Sequence, residues 1–120
     1  MDASAIGCRP LFIYGSLRDP TVQAQLLAGH ARLTTCPAIL PGHLRQTVPG
    51  FEYPFVVPAA PADRVVGELL LGLTAADYRV LDAYEDLDEG LYCRVTVTVQ
   101  APGGPVDAWV YLKGPAALGA

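Results

Sequence analysis

Polar and apolar residues alternate over Tyr92 to Val99. Val95, Val97 and Val99 fall on one face and Arg94, Thr96 and Thr98 on the other, the period of a half-buried β-strand. Val106 to Leu112 repeats the pattern, with Trp109 and Tyr111 on one side and Val110 on the other, and Gly103-Gly104 between the two stretches reads as a turn. Near-continuous apolar runs predict two more buried strands, Arg9 to Tyr14 and Arg64 to Leu71. Gly67 and Glu68 interrupt the second; Glu68 is expected to face outward, ion pairing being the alternative. Ala31 to Leu40 and Gly42 to Val48 carry mixed patterns that also suit strands. The proline-rich residues 49–63 read as mostly loop, with the apolar Tyr53-Pro54-Phe55 lying against the body of the protein.

Two segments carry helix signals. Asp19-Pro20 is a capping residue followed by a proline suited to the first turn, so a short helix is expected over Pro20 to Ala28, with Gly29 as its stop. Thr74 to Glu85 is the clearer helix. Thr74 and Asp77 have the spacing of a capping box, and Leu73, Val80 and Tyr84, widened by Ala76 and Leu81, form the expected buried stripe. Residues 1–8 look like a loose leader, and Pro115 onward is a tail of small residues. Strands mixed with two short helices indicate an α+β fold.

Composition narrows the function classes. At 120 residues the chain is expected to form a single domain with its core over about residues 9–112, and 52% hydrophobic content argues against disorder. The formal charge is −4, with no basic cluster, so nucleic acid is not an expected partner. Neither a signal peptide nor a membrane-spanning stretch is visible in the sequence. The three cysteines, Cys8, Cys36 and Cys93, form no C-x-x-C pair and read as reduced core thiols of a cytoplasmic protein.

Two stretches carry candidate chemistry. Leu11 to Pro20 runs from a buried strand through Gly15-Ser16 into a helix start, a turn whose backbone N–H groups can hold a carboxylate or an oxyanion. The same residues also suit an ordinary strand-to-helix turn. Glu85 ends the second helix, at the border of its apolar stripe. The negative end of the helix dipole, partial burial and the nearby Asp82, Asp86, Asp88 and Glu89 would all raise its pKa, which suits a general acid–base; a solvated acidic helix end is the alternative. Weaker arrangements are a Ser16 nucleophile served by His30 or His43, and a calcium loop over residues 86–90. The first has no G-x-S-x-G and the second lacks a full ligand set.

Taken together, Tyr14-Gly15-Ser16-Leu17-Arg18, Gly67-Glu68, Leu81-Asp82-Ala83-Tyr84-Glu85, Tyr92-Cys93-Arg94 and Ala108-Trp109-Val110-Tyr111 resemble, in order and spacing, the gamma-glutamyl cyclotransferase-like family, which includes the gamma-glutamylamine cyclotransferases. The resemblance implies a small, mixed, mostly antiparallel β-barrel of five to seven strands with flanking helices. It implies that Tyr14, Gly15, Ser16 and Leu17 line the substrate cavity through their turn, that Glu85 is the catalytic glutamate, and that Tyr111 is a cavity-facing aromatic. Arg94 is expected to support the acidic turn. The implied reaction is attack by the α-amine of a small gamma-glutamyl compound on its own γ-carbonyl, giving 5-oxoproline and a free amine, with no metal or cofactor. The alternative is a non-catalytic barrel that binds an amino-acid-like ligand or a protein.

Overall fold

The computed structural model describes residues 9–15, 18–27, 34–47, 55–84 and 92–113. In chain order the elements are β1 (Leu11–Ile13), α1 (Pro20–Leu26), β2 (Thr34–Pro41), β3 (His43–Gln46), β4 (Phe55–Pro58), β5 (Arg64–Leu71), α2 (Ala75–Tyr84), β6 (Tyr92–Ala101) and β7 (Gly104–Lys113). Five strands close a barrel in the order β1-β5-β2-β6-β7, and β3 pairs with β4 in a separate ribbon. Every pairing is antiparallel except the closing one, where Leu11 lies opposite Trp109 in parallel and the Trp109 amide donates to the Pro10 carbonyl at 2.9 Å. The structure is the mixed α+β barrel that the sequence implies.

Side-chain alternation divides the apolar residues into two clusters. Phe12, Tyr14, Ala38, Leu40, Val65, Leu69, Val99, Ala108 and Val110, one set from each barrel strand, fill the interior together with Val56 of β4. Leu11, Ile13, Leu70 and Tyr111 point the other way and meet Tyr78 and Leu81 of α2, together with Leu73 and Leu27, which forms the seam between barrel and helix. The valines of β6 face inward as their alternation predicts, and Cys36 packs against the interior cluster. Cys36 is a free thiol.

Both helix starts are built as the sequence predicts. Asp19 accepts from the Thr21 amide at 2.8 Å, with Pro20 in the first turn. Thr74 and Asp77 form the reciprocal capping box: the Asp77 amide donates to Thr74 Oγ1 at 3.2 Å, and the Thr74 amide to Asp77 Oδ2 at 2.7 Å. At the other end, α1 stops at Leu26, and Leu27 caps it by donating its amide to the Gln23 carbonyl at 2.8 Å. Gly29 lies outside the described residues.

The structure refines two expectations and corrects a third. Within residues 49–63, expected to be mostly loop, Phe55–Pro58 forms a strand that pairs with β3, from His43↔Pro58 to Gln46↔Phe55. Pro58 ends the ribbon, where its missing N–H costs least. The buried face of α2 carries Tyr78 and Leu81, whereas Val80 is 42% and Tyr84 37% exposed. The large ring of Tyr78 covers the seam that the Val80–Tyr84 stripe was expected to cover. Glu68 is both outward-facing and paired. It shares the outer face of β5 with Leu70, and its Oε1 lies 3.1 Å from Arg18 Nε.

Candidate active site at the barrel–helix seam

The turn that follows β1 is fixed by its neighbours. The Arg18 amide donates to the Gly15 carbonyl at 3.0 Å, and Arg45 Nη2 from β3 donates to the Tyr14 carbonyl at 2.7 Å. Arg18 also reaches back to Glu68, which lies opposite Ile13 in the β1–β5 register. Gly67, beside Glu68, is a packing requirement: a Cβ there would lie 2.3 Å from the Ile13 carbonyl oxygen and 2.7 Å from the Phe12 ring. Only glycine lets β5 approach the end of β1 this closely.

Tyr14 is 7% exposed, inside the barrel, and its hydroxyl donates to the Tyr111 carbonyl. The ring of Tyr111 points the opposite way from Val110, into the seam, where it is 2% exposed. Its hydroxyl donates to Asp82 Oδ1 at 2.7 Å. One residue therefore contacts Tyr14, just before the turn, through its backbone, and the last turn of α2 through its side chain.

Asp82 receives a second residue as well. Arg94 Nε donates to its Oδ1 at 2.8 Å and Nη2 to its Oδ2 at 3.1 Å, a two-pronged guanidinium–carboxylate pair. The Arg94 guanidinium carbon lies 4.7 Å from the centre of the Tyr78 ring and 4.4 Å from that of Trp109, distances at which a cation is attracted to an aromatic face. Arg9 adds a second cation at 5.6 Å from Trp109, and the Tyr78 hydroxyl donates to the Arg9 carbonyl at 2.5 Å. Among the described residues the buried Trp109 indole N–H has no acceptor.

Of the six site residues expected from sequence, Tyr14, Gly15 and Tyr111 are described; Tyr14, inside the barrel, is joined to Tyr111 by its hydroxyl, and Gly15 follows Tyr14 in the chain. Ser16, Leu17 and Glu85 lie outside the described residues. Arg94 holds Asp82 on the helix, so one of the carboxylates counted as like charge near Glu85 has its own cation; the acidic stretch that Arg94 was expected to support lies outside the described residues. Asp82 was read from sequence only as a like charge near Glu85, and Trp109 and Arg45 were assigned no role in the site. A usable signal existed for the first: an acid near the end of a helix and a lone arginine early in the following strand. For Arg45, whose partner is a backbone carbonyl 31 residues away, there was none.

The described residues form no group of three or more metal-ligating side chains. None of the described helices is long and apolar enough to cross a membrane.

Comparison with known proteins agrees with this geometry. The family described as "Gamma-glutamyl cyclotransferase, AIG2-like" matches residues 11–119. Protein AIG2 C of Arabidopsis thaliana is 36% identical over 89 residues, 74% of this chain and 50% of that protein. AIG2-like protein D of the same plant is 37% identical over 78 residues, 65% of this chain and 49% of that protein. The chain thus spans about half the length of the curated relatives it matches. Among solved structures, an Arabidopsis thaliana protein determined in solution superposes with a TM-score of 0.74 at 28% identity, covering 90% of this chain and 63% of its own. A structure named gamma-glutamyl cyclotransferase superposes with a TM-score of 0.70 at 18% identity, covering 88% and 66%, a likeness of fold. By its matched residues and its barrel, the chain belongs to the AIG2-like gamma-glutamyl cyclotransferase family.

Proposed function

We propose that this protein is a cyclotransferase acting on a small gamma-glutamyl amine or amide. Its α-amine attacks its own γ-carbonyl carbon, the C–N amide bond breaks, and 5-oxoproline and a free amine leave. Over the cycle two protons leave the α-nitrogen and two arrive at the departing nitrogen, which leaves as an ammonium. Glu85 carries them, accepting from the nucleophile and delivering to the leaving group. The backbone amides of Gly15, Ser16 and Leu17 hold the substrate carboxylate or the tetrahedral oxyanion. Tyr14 and Tyr111 shape the site around them. No other reactant is required, because the nucleophile belongs to the substrate. Holding it folded onto its own carbonyl can supply up to ~7–11 kcal/mol of the barrier reduction.

The observation that carries this reading is the double contact of Tyr111, with Tyr14 ahead of the turn and with Asp82, three residues before Glu85 in the sequence. Family membership and the L-D-x-Y-E sequence of residues 81–85 support it further. The test is incubation of the purified protein with the gamma-glutamyl amides of methylamine, lysine and alanine, followed by mass spectrometry. Formation of 5-oxoproline with equimolar free amine is expected. Absence of 5-oxoproline from every amide, with the amides bound intact, would favour a non-catalytic binding protein.

A further inference from the structure

The Tyr14–Gly15 peptide is held from outside the barrel sheet. Its carbonyl accepts a hydrogen bond from Arg45 Nη2 at 2.7 Å, across 31 residues of chain. Arg45 is placed by β3, where it lies opposite Val56 of β4, on the face of the ribbon from which Val56 packs into the barrel interior. Docking of the ribbon does not depend on this bond, since Phe55 packs on Tyr92 and Val56 is fully buried. A peptide unit is planar and trans, so its N–H points opposite to its carbonyl. Arg45 therefore sets the direction of the Gly15 N–H, which is turned away from the guanidinium. The next carbonyl, that of Gly15, is held by the Arg18 amide at 3.0 Å.

Gly15 makes this anchor matter. Its φ lies outside the left-handed region that Gly42, Gly72 and Gly104 occupy, and a Cβ built on it would meet nothing within 4 Å. The fold thus requires glycine there neither for its backbone angle nor for space, in contrast with Gly67. What glycine does at such a position is let a ligand lie against the backbone, and let the preceding peptide turn over without a steric penalty. The first makes the Gly15 N–H reachable. The second means that its orientation needs a hold other than sterics. Among the described residues the Gly15 N–H has no acceptor.

We propose that Arg45 is a positioning residue: it holds the Tyr14 carbonyl so that the Gly15 N–H stays aimed at an oxygen of the bound gamma-glutamyl compound. This rests on the reading of the Gly15 amide as a substrate donor. Without Arg45 the 14–15 peptide samples two orientations, and only one presents the N–H to the ligand.

The experiment is a nitrogen-15 NMR titration of the full chain with 5-oxoproline, the product, which keeps both the carboxylate and the former γ-carbonyl oxygen. The Gly15 amide, assigned by its change in Gly15→Ala, is followed in the unaltered protein and in Arg45→Met, which keeps the stem and removes the donor. In the unaltered protein the Gly15 resonance is expected to move saturably. In Arg45→Met it should broaden before any ligand is added, and the apparent Kd should rise about tenfold or more, as the inverse of the fraction still correctly turned. Arg45→Lys restores a donor and should bring Kd back to within about threefold of the unaltered value. Arg45→Gln stands in for Arg45→Met if that variant fails to fold. A Gly15 resonance that 5-oxoproline leaves in place in the unaltered protein would overturn the proposal. So would an equal Kd with and without Arg45, as a bond that only docks the ribbon predicts, or a raised Kd with a sharp Gly15 resonance, as a direct charge on the ligand predicts. Formation of no 5-oxoproline from any gamma-glutamyl amide, with the binding effects observed, would instead overturn the catalytic reading and leave the positioning role in place.

Discussion

The hydroxyl of Tyr111 donates to Asp82 at 2.7 Å, across the seam between the last barrel strand and the second helix. β7 is long and paired along its whole length with β6, so the ring of Tyr111 projects from a rigid wall. The described part of the helix buries only Tyr78 and Leu81 against the barrel. The hydrogen bond therefore transmits the position of the barrel to the helix end. Tyr111→Phe keeps the packed ring and removes only this bond. A hydrogen bond to a charged group is worth about 1.5–3 kcal/mol, so the melting temperature should fall by several degrees. Thermal denaturation followed by circular dichroism measures it; an unchanged melting temperature would mean that the bond adds nothing to docking.

Gly67→Ala is expected to be costly for a reason no contact energy captures. The added methyl group would meet the Ile13 carbonyl oxygen at 2.3 Å, which forces β1 and β5 apart at the point where β1 gives way to the turn. A loss of about 1–3 kcal/mol or more is expected, measurable by urea denaturation. Gly103→Ala is the comparison, since a Cβ at that position meets nothing within 4 Å, and it should lose less than half as much. Equal losses would remove the packing explanation.

Thr74→Ala deletes the hydroxyl that accepts from the Asp77 amide and leaves the start of α2 uncapped. The expected cost is about 1 kcal/mol. Hydrogen exchange should show it first in the opening turn of α2, with the amides of β6 and β7 unaffected. By contrast Glu68→Gln should change stability by less than about 1 kcal/mol, because its partner Arg18 is 43% exposed and such ion pairs are screened by water.

Much of the barrel was legible because strand alternation leaves a period-two signature wherever one face is buried. Val95, Val97 and Val99 against Arg94, Thr96 and Thr98 is such a case, and Trp109 and Tyr111 against Val110 is another. The helix starts were legible because caps are local chemistry, complete within four residues at Asp19 and at Thr74. What was not legible is non-local. β4 hides in a proline-rich stretch and exists because β3 offers it a partner. The face of α2 was misjudged because Tyr78, left out of the expected stripe, packs its ring and spends its hydroxyl on the Arg9 carbonyl, 69 residues away. In the candidate site, Tyr14 and Tyr111 were picked out by resemblance, whereas the Asp82–Arg94 pair required the helix to be laid against β6.

We propose that Glu85 moves the protons of an intramolecular cyclisation. The most direct measurement is turnover of the best of the three gamma-glutamyl amides by Glu85→Gln, beside the unaltered protein and Asp88→Asn, with 5-oxoproline counted by mass spectrometry. Glutamine keeps the size and shape of the side chain but cannot accept the proton. Turnover should fall on the order of 10²–10⁴-fold in Glu85→Gln with KM little changed, and Asp88→Asn should remain within about twofold of the unaltered protein. A Glu85→Gln variant that forms 5-oxoproline at the unaltered rate would contradict the account.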